Sequence, residues 1–193
     1  MNIKSFFMLA ALLVALPLGS AQAQAAKGPK QLLADQFKSS KRVTFIKVEV
    51  NVGQRKQIEQ QLGRALPKDR YTFYVAMSGD RVDGYAIFDA EKGQHENIDL
   101  AIFFDASGKV QRVEVVQYRE AYGDAIRAER FRRQFVGKDG KSAYRAGDDI
   151  DVISGATISS KSVARAVKRA AVLLHQTVLK DEVAQQPAQR ASL

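Results

Sequence analysis

The run Asp151-Val152-Ile153-Ser154-Gly155-Ala156-Thr157, followed at once by Ile158-Ser159-Ser160, gathers hydroxyl and carboxylate groups where a helix should begin. Such a place suits phosphate chemistry: the first turn of a helix carries N–H groups with no intrahelical partner and the positive end of the macrodipole, so an anion settles there at low cost. Thr157 supplies a secondary alcohol that can become an ester oxygen and has no redox function of its own. Gly155 and Ala156 have little or no side chain, which leaves the backbone open to a bulky reactant. Ser154, Ser159 and Ser160 are candidates to hydrogen-bond phosphate oxygens or to cap the helix. Asp151, three residues before Ser154, can anchor the loop by accepting from its N–H groups. A plain N-cap uses the same residue types, so the pattern by itself also admits a structural reading.

The elements that must hold this run are legible on both sides of it. From Ser160 onward, Val163, Val167, Ala170, Ala171, Leu174 and Val178 form one helical stripe, with Lys161, Arg165, Lys168 and Arg169 on other faces. Upstream, residues 44–52 alternate with the strand period, placing Ile46, Val48, Val50 and Val52 on one face of a half-buried strand. Residues 54–66 change to the helical period, with Ile58, Leu62, Ala65 and Leu66 on one stripe, and Pro67 is expected to end that helix. Two strand pairs follow: residues 71–77 and 82–89 around Ser78-Gly79-Asp80, and residues 98–104 and 110–118 around Asp105-Ala106-Ser107-Gly108. A weaker helical pattern through Ile126, Phe131 and Phe135 leads into a charged, glycine-containing loop over residues 137–147. The order predicts an α+β domain: a twisted, meandering antiparallel sheet with packed helices, the last helix opened by the hydroxyl-rich motif.

Composition narrows the chemistry. The 193 residues contain no cysteine, which excludes disulfides, thiolate-held iron–sulfur clusters, c-type haem attachment and thiol redox chemistry on this chain. Electron handling would therefore need a borrowed cofactor that asks for no sulfur. Only two histidines are present, His95 and His175, and neither has a second His nearby, so no metal site is expected. Glu114, Glu120 and Asp151 do not form a recognisable paired-carboxylate site at this level. The formal net charge of +9 suits acidic partners, anionic lipid head groups or phosphate-bearing cofactors. Nucleic acid is not expected, because no stretch combines a basic run with interleaved aromatics.

The N-terminus reads as a secretory signal over residues 1–23: Lys4 in a short basic head, an apolar run over residues 6–18, and Ala21-Gln22-Ala23 as a small-x-small cleavage site. The apolar run is shorter than the roughly 20 residues that cross a bilayer. Residues 24–30 read as a disordered leader and residues 181–193 as a flexible tail, leaving residues 31–180 as one domain. The expected location is the periplasm, in solution or peripherally at the membrane.

The run from Asp151 to Thr157 resembles the Asp-x-x-(Ser/Thr)-Gly-Ala-Thr signature of the FMN-binding domain family. Landmarks of small exported members of that family are similar to Gly84-Tyr85-Ala86, Lys92-Gly93-Gln94-His95, Tyr118-Arg119-Glu120 and Tyr122-Gly123. The resemblance implies that an FAD:protein FMN transferase joins the phosphate of FMN to the Thr157 hydroxyl, with Asp151 as a determinant read by the transferase. It further implies that Glu120, Tyr118 and Tyr122 lie near the flavin, and that the chain is an electron carrier between donor and acceptor proteins, themselves soluble or membrane-bound, rather than a stand-alone enzyme. In the flavin subunits of sodium- and proton-pumping oxidoreductases the matching loop reads Glu-Thr-Pro-Gly-Leu-Gly. Here Glu120-Ala121-Tyr122-Gly123 keeps the glutamate and otherwise departs from that loop, which is closer to a free-standing relative. Two alternatives stand beside the carrier: a small flavin reductase, and a binding or interaction module that uses the same scaffold without flavin.

Overall fold

The computed structural model describes residues 27–180. The expected signal peptide, the first three residues of the expected leader and the expected tail lie outside the described residues. Five strands run in chain order, each antiparallel to the next: β1 (Arg42–Glu49), β2 (Arg70–Ser78), β3 (Arg81–Lys92), β4 (Asn97–Asp105) and β5 (Val110–Gln117). This is the meander that the two strand pairs predicted. The β2–β3 turn is eased by Gly79 at φ +68, and the β4–β5 turn by the Asp105 carboxylate, which accepts from the Ser107 and Lys109 N–H groups at 2.8 and 3.0 Å.

Helices cover the two faces of the sheet unequally. One face carries Phe73, Val75, Tyr85, Ile87, Leu100, Ile102, Phe104 and Val113, all buried beneath α4 (Thr157–Leu173) and α2 (Val52–Leu62). The other face has a floor of small residues, Ala76, Ala86 and Ala101, on which α1 (Pro29–Gln36) seats Leu32 and the following Phe37. Gly84 belongs to that floor, since a Cβ there would stand 2.5 Å from the Phe104 carbonyl oxygen and 3.1 Å from the Phe37 ring. Helix α1 begins with Gly28 as N-cap and proline at its first position, the favoured arrangement for a helix start. It therefore starts at Pro29, inside the segment expected to be disordered leader.

Three boundaries differ from the sequence-based expectation. Asn51 caps α2 in a reciprocal box with Gln54, so Val52 opens that helix and is exposed instead of ending a strand. Gly63, in the left-handed conformation, then closes α2 before Pro67 is reached, although Leu66 stays buried in the connection. Strand β1 is exposed along almost its whole length, Ile46 included, because α4 lies over β3 and β4 and leaves the outermost strand bare.

Helix α4 is buried nearly all round, not on a single stripe, and it leads into a wider-turned segment, Leu174–Leu179. It is also held by charge. Strand periodicity puts Asp89 and Glu91 on the same inward face as Tyr85 and Ile87. There the guanidinium of Arg169, 2 % exposed, donates to Asp89 Oδ2 at 2.9 Å, to the Ala90 carbonyl at 3.0 Å, and to Glu91. Arg64 and Arg165 reach Glu91 from outside at 2.9 and 3.2 Å, and Lys68 reaches Asp89 at 2.9 Å. Burial alone would push Glu91 up, but Arg169 and Arg64 outweigh it and hold its carboxyl below the usual range. For Arg169, burial works against the charge and the two acids more than restore it, so its pKa is raised.

Candidate functional site

The hydroxyl-rich motif occupies the connection into α4. Its backbone is fixed from outside by Gln134, whose side-chain oxygen accepts from the Asp151 N–H at 2.7 Å and whose amide donates to the Asp151 carbonyl at 3.4 Å. The expected anchoring role thus falls to Gln134, a residue that periodicity did not single out. The Asp151 side chain is exposed, and among the described residues it makes no hydrogen bond or ion pair. A four-residue turn follows, closed by the Ala156 N–H to the Ile153 carbonyl at 2.9 Å. Gly155 sits at its third position with φ +76, the left-handed value that favours glycine there. Nothing lies within 4 Å of where a Gly155 Cβ would be, so the turn demands glycine and the surroundings also leave it accessible.

Thr157 is the first residue of α4 and is exposed. The N-cap is Ala156, which has no side-chain acceptor, and no acidic residue stands in the first turn. Ser160 N–H is the first to reach a backbone carbonyl, that of Ala156 at 2.8 Å, so the N–H groups of Thr157, Ile158 and Ser159 are the unpaired donors of the helix end. A helix of 17 residues therefore presents its positive end uncapped beside an exposed alcohol.

The other hydroxyls do not share that exposure. Ser154 is exposed in the turn, but Ser159 and Ser160 are buried. Ser160 Oγ accepts from the Ile153 N–H at 3.2 Å, which ties the turn back to the helix. Ser159 Oγ lies 2.7 Å from the Tyr118 hydroxyl, and that hydroxyl also donates to the Tyr122 carbonyl. Neither serine caps the helix, and both fasten it to its surroundings.

This fastening brings the loop after β5 against the helix start. Gly123, at φ +96, is pressed so close that a Cβ would stand 2.5 Å from the Tyr118 hydroxyl, 2.9 Å from Ser159 Oγ and 3.5 Å from the Ala156 Cβ. Tyr122 is consequently held next to the motif with 86 % of its surface exposed, and Ile158 in the first turn is 46 % exposed. Glu120 serves the neighbouring loop instead. Its Oε1 accepts from the His95 and Glu96 N–H groups at 2.9 and 3.3 Å, bonds that hold its carboxyl below the usual range. It lies over Gly93, where a Cβ would stand 2.3 Å from the same oxygen. Tyr118, Tyr122, Ser159 and the motif are thus gathered at one place, whereas Glu120 supports its rim through residues 93–96.

An open groove of about 390 Å³ adjoins the motif on the other side. Asp151, Val152 and Ile153 form one wall, and Ala125 of the 3₁₀ turn Asp124–Arg127, Phe131 of α3 (Glu129–Arg133), and the flanking Ala128 and Gln134 form the other. Arg130 also lines it. Its surface is mostly apolar, its polar groups are few, and it is large enough for a planar aromatic ring system.

Residues 93–172, which span the β3–β4 connection, the last two strands, the groove, the motif and most of α4, match the family model described as FMN-binding domain. A curated relative is the G subunit of the proton-translocating ferredoxin:NAD(+) oxidoreductase complex of Clostridium ljungdahlii, 28 % identical over 144 residues that cover 66 % of this chain and 78 % of that protein. The likeness therefore reaches a component of such a complex in spite of the altered loop at Glu120–Gly123. Among solved structures, NqrC of Shewanella oneidensis is similar with a TM-score of 0.48 and 16 % identity, covering 69 % of this chain and 79 % of that one. Among the described residues no helix is long and apolar enough to cross a membrane.

Proposed function

We propose, from the match of residues 93–172 to the FMN-binding domain model, that Thr157 carries FMN through a phosphoester and that the protein works as an electron carrier. The observation that carries this reading is the exposed Thr157 hydroxyl as the first residue of a long, uncapped helix. A phosphate joined there meets unpaired N–H donors and a positive dipole end that no side chain of the protein neutralises. In the joining step the Thr157 oxygen bonds to the flavin-side phosphorus of FAD, the bond to the AMP half breaks, AMP leaves, and the hydroxyl proton passes to a base of the transferase. The free carboxylate of Asp151 and the open turn at Gly155 are the features such a transferase would recognise.

The residues around the motif fit the group. The apolar groove beside Asp151, Val152 and Ile153 offers a seat for the flavin ring, with Gln134 and Arg130 as donors to its polar edge, while exposed Tyr122, on the loop side of the motif, offers a separate stacking face. Flavin supplies one- and two-electron transfer. Protein groups bind the ring, orient it and leave it open to a partner. That openness favours a carrier over an enzyme with its own enclosed substrate site. The curated relative's place in a ferredoxin:NAD(+) oxidoreductase complex supports redox partners of that kind, in a membrane-associated assembly. Export by the N-terminal signal to the periplasm completes the reading, with the covalent bond preventing loss of the cofactor there.

Coexpression with the transferase followed by intact-mass measurement tests this directly. The mature protein should gain the mass of FMN less water, stay yellow after denaturation, and start at Gln24 or within two residues of it. Thr157→Ala should emerge colourless with its fold intact. An unchanged mass of the unsubstituted protein, or a yellow Thr157→Ala, would overturn the assignment.

A further inference from the structure

The two edges of the sheet are treated differently. At β5 the outward backbone groups are taken up: Arg132 donates to the Val113 carbonyl at 2.8 Å and Arg127 to that of Val115 at 3.0 Å, while Val110 exchanges hydrogen bonds with Gly137 and Lys138. At β1 nothing comparable happens. The Val50 N–H bonds the Asp69 carbonyl at 2.9 Å, and with the β1–β2 register this sets the even-numbered residues of β1 toward β2. Val43, Phe45, Lys47 and Glu49 therefore aim their N–H and C=O groups outward, and among the described residues none of these groups has a hydrogen-bond partner. Three of the large apolar side chains most exposed in the fold, Phe45 at 56 %, Val43 at 40 % and Ile46 at 38 %, stand on this strand. The strand contains no proline, and its register with β2 shows no bulge. A long, regular, apolar edge of this kind is a template for another strand.

We propose that the strand it takes is β1 of a second copy of this chain, paired antiparallel about a two-fold axis at Phe45. Charge selects this register. With Phe45 opposite Phe45 of the second copy, Val43 faces the stem of Lys47, and Lys41, which precedes β1 and whose N–H bonds the Met77 carbonyl at 3.0 Å, brings its ammonium toward Glu49 of the second copy, a carboxylate that Arg70 of its own chain approaches at 3.7 Å. Moving the axis to Lys47 sets the two Lys47 residues against each other, and moving it to Thr44 sets Lys41 against Lys47 of the second copy. An axis at Ile46 forms no ion pair. Like charges directly opposite destabilise a ladder and opposite charges support it. The chosen register also joins two apolar surfaces. On the outer face Phe45 lies beside Tyr74 on β2, and Tyr74, Phe88 and Phe103 form an edge-to-face row at 5.6 and 6.5 Å, so the row would continue across the axis. On the other face exposed Ile46 would meet Thr44 of the second copy. An isologous contact of this sort closes on itself and yields a dimer with one ten-stranded sheet.

Sedimentation equilibrium of the purified, unsubstituted protein tests the proposal. A reversible dimer is expected, with or without flavin, since β1 is far in the fold from the motif. Phe45→Lys, which places two ammonium groups at the axis on an already exposed position, should weaken dimerisation by tenfold or more, on the order of 1.4 kcal/mol, with an unchanged circular dichroism spectrum. Glu49→Lys should weaken it too, and the charge exchange Lys41→Glu with Glu49→Lys should restore it. A monomer at all concentrations overturns the proposal, even if the strand of a different protein binds the edge. A dimer indifferent to Phe45→Lys, or one that the charge exchange fails to restore, overturns it equally.

Discussion

The two halves of helix α4 solve opposite problems. Around Arg169 the helix is shut: a buried guanidinium holds two buried carboxylates and a strand carbonyl, and outer cations close the remaining valences. At Thr157 the same helix is left open, with alanine as its cap, no acid in its first turn, and an exposed alcohol at its first position. The contrast shows how one element can be held rigidly in its middle and left open at its end. The middle fixes where the helix lies, so the end can keep unpaired donors in a defined place, ready for an anion that the polypeptide does not supply.

Breaking the open end should give the largest effect on function and the smallest on stability. Thr157→Ala is expected to reduce covalent flavin from stoichiometric to none by absorbance and mass, while changing the unfolding free energy by no more than about 0.5 kcal/mol, because the side chain is exposed. Breaking the shut middle should do the reverse in degree. Arg169→Ala strands Asp89 and Glu91 as buried charges and should cost about 3–5 kcal/mol in urea unfolding. A loss below about 1 kcal/mol would mean that the outer cations suffice.

The middle should also carry the acid sensitivity. Since Glu91 is held below its ordinary value of 4.5 in the folded protein, its contribution is present above that pH and is lost as pH falls through the lowered folded value. Urea unfolding at decreasing pH should show this loss, and Glu91→Gln should flatten the acid limb relative to the parent. A smaller effect is expected where the loop meets the helix start. Gly123→Ala forces a Cβ onto the Tyr118 hydroxyl and Ser159 at a left-handed φ, and should cost about 1–3 kcal/mol and lower flavin incorporation. Smallest of all, attachment of the phosphate should stabilise the folded protein by about 0.5–2 kcal/mol over the unmodified form, measured by paired melts, because it fills the vacant cap.

Much of this architecture could be read from the residues. Turn chemistry at Ser78-Gly79-Asp80 and around Gly108, with strand alternation on either side, marked the meander, and the stripe from Val163 to Val178 marked the last helix. What escaped was whatever depends on neighbours distant in sequence. Arg169 looked like a surface cation because its helical stripe is polar; it is buried because Asp89 and Glu91, 80 and 78 residues away, point inward from β3. Asp89 and Glu91 were themselves a signal, being acids in phase with the inward Tyr85 and Ile87. Val52 and Ile46 looked buried from alternation alone, whereas the first became exposed when Asn51 capped a helix and the second when no helix reached the edge strand.

Within the site the division is equally physical. The motif located the exposed alcohol at the start of the last helix, because a Ser-Gly-Ala-Thr run before an amphipathic helix specifies a turn and a helix start by local geometry. Which hydroxyls face solvent was decided in three dimensions: Ser159 and Ser160 turn inward to Tyr118 and the Ile153 N–H, and only Ser154 and Thr157 stay outside. The sequence by itself determined the elements, their order and the place of a hydroxyl-rich helix start, since these follow from short-range periodicity and turn chemistry. Tertiary structure alone decided the buried ion lattice around Arg169, the clamp of Gln134 on Asp151, the groove beside the motif and the bare edge of β1. Each of these depends on which surfaces meet when the chain closes, and no local pattern encodes that.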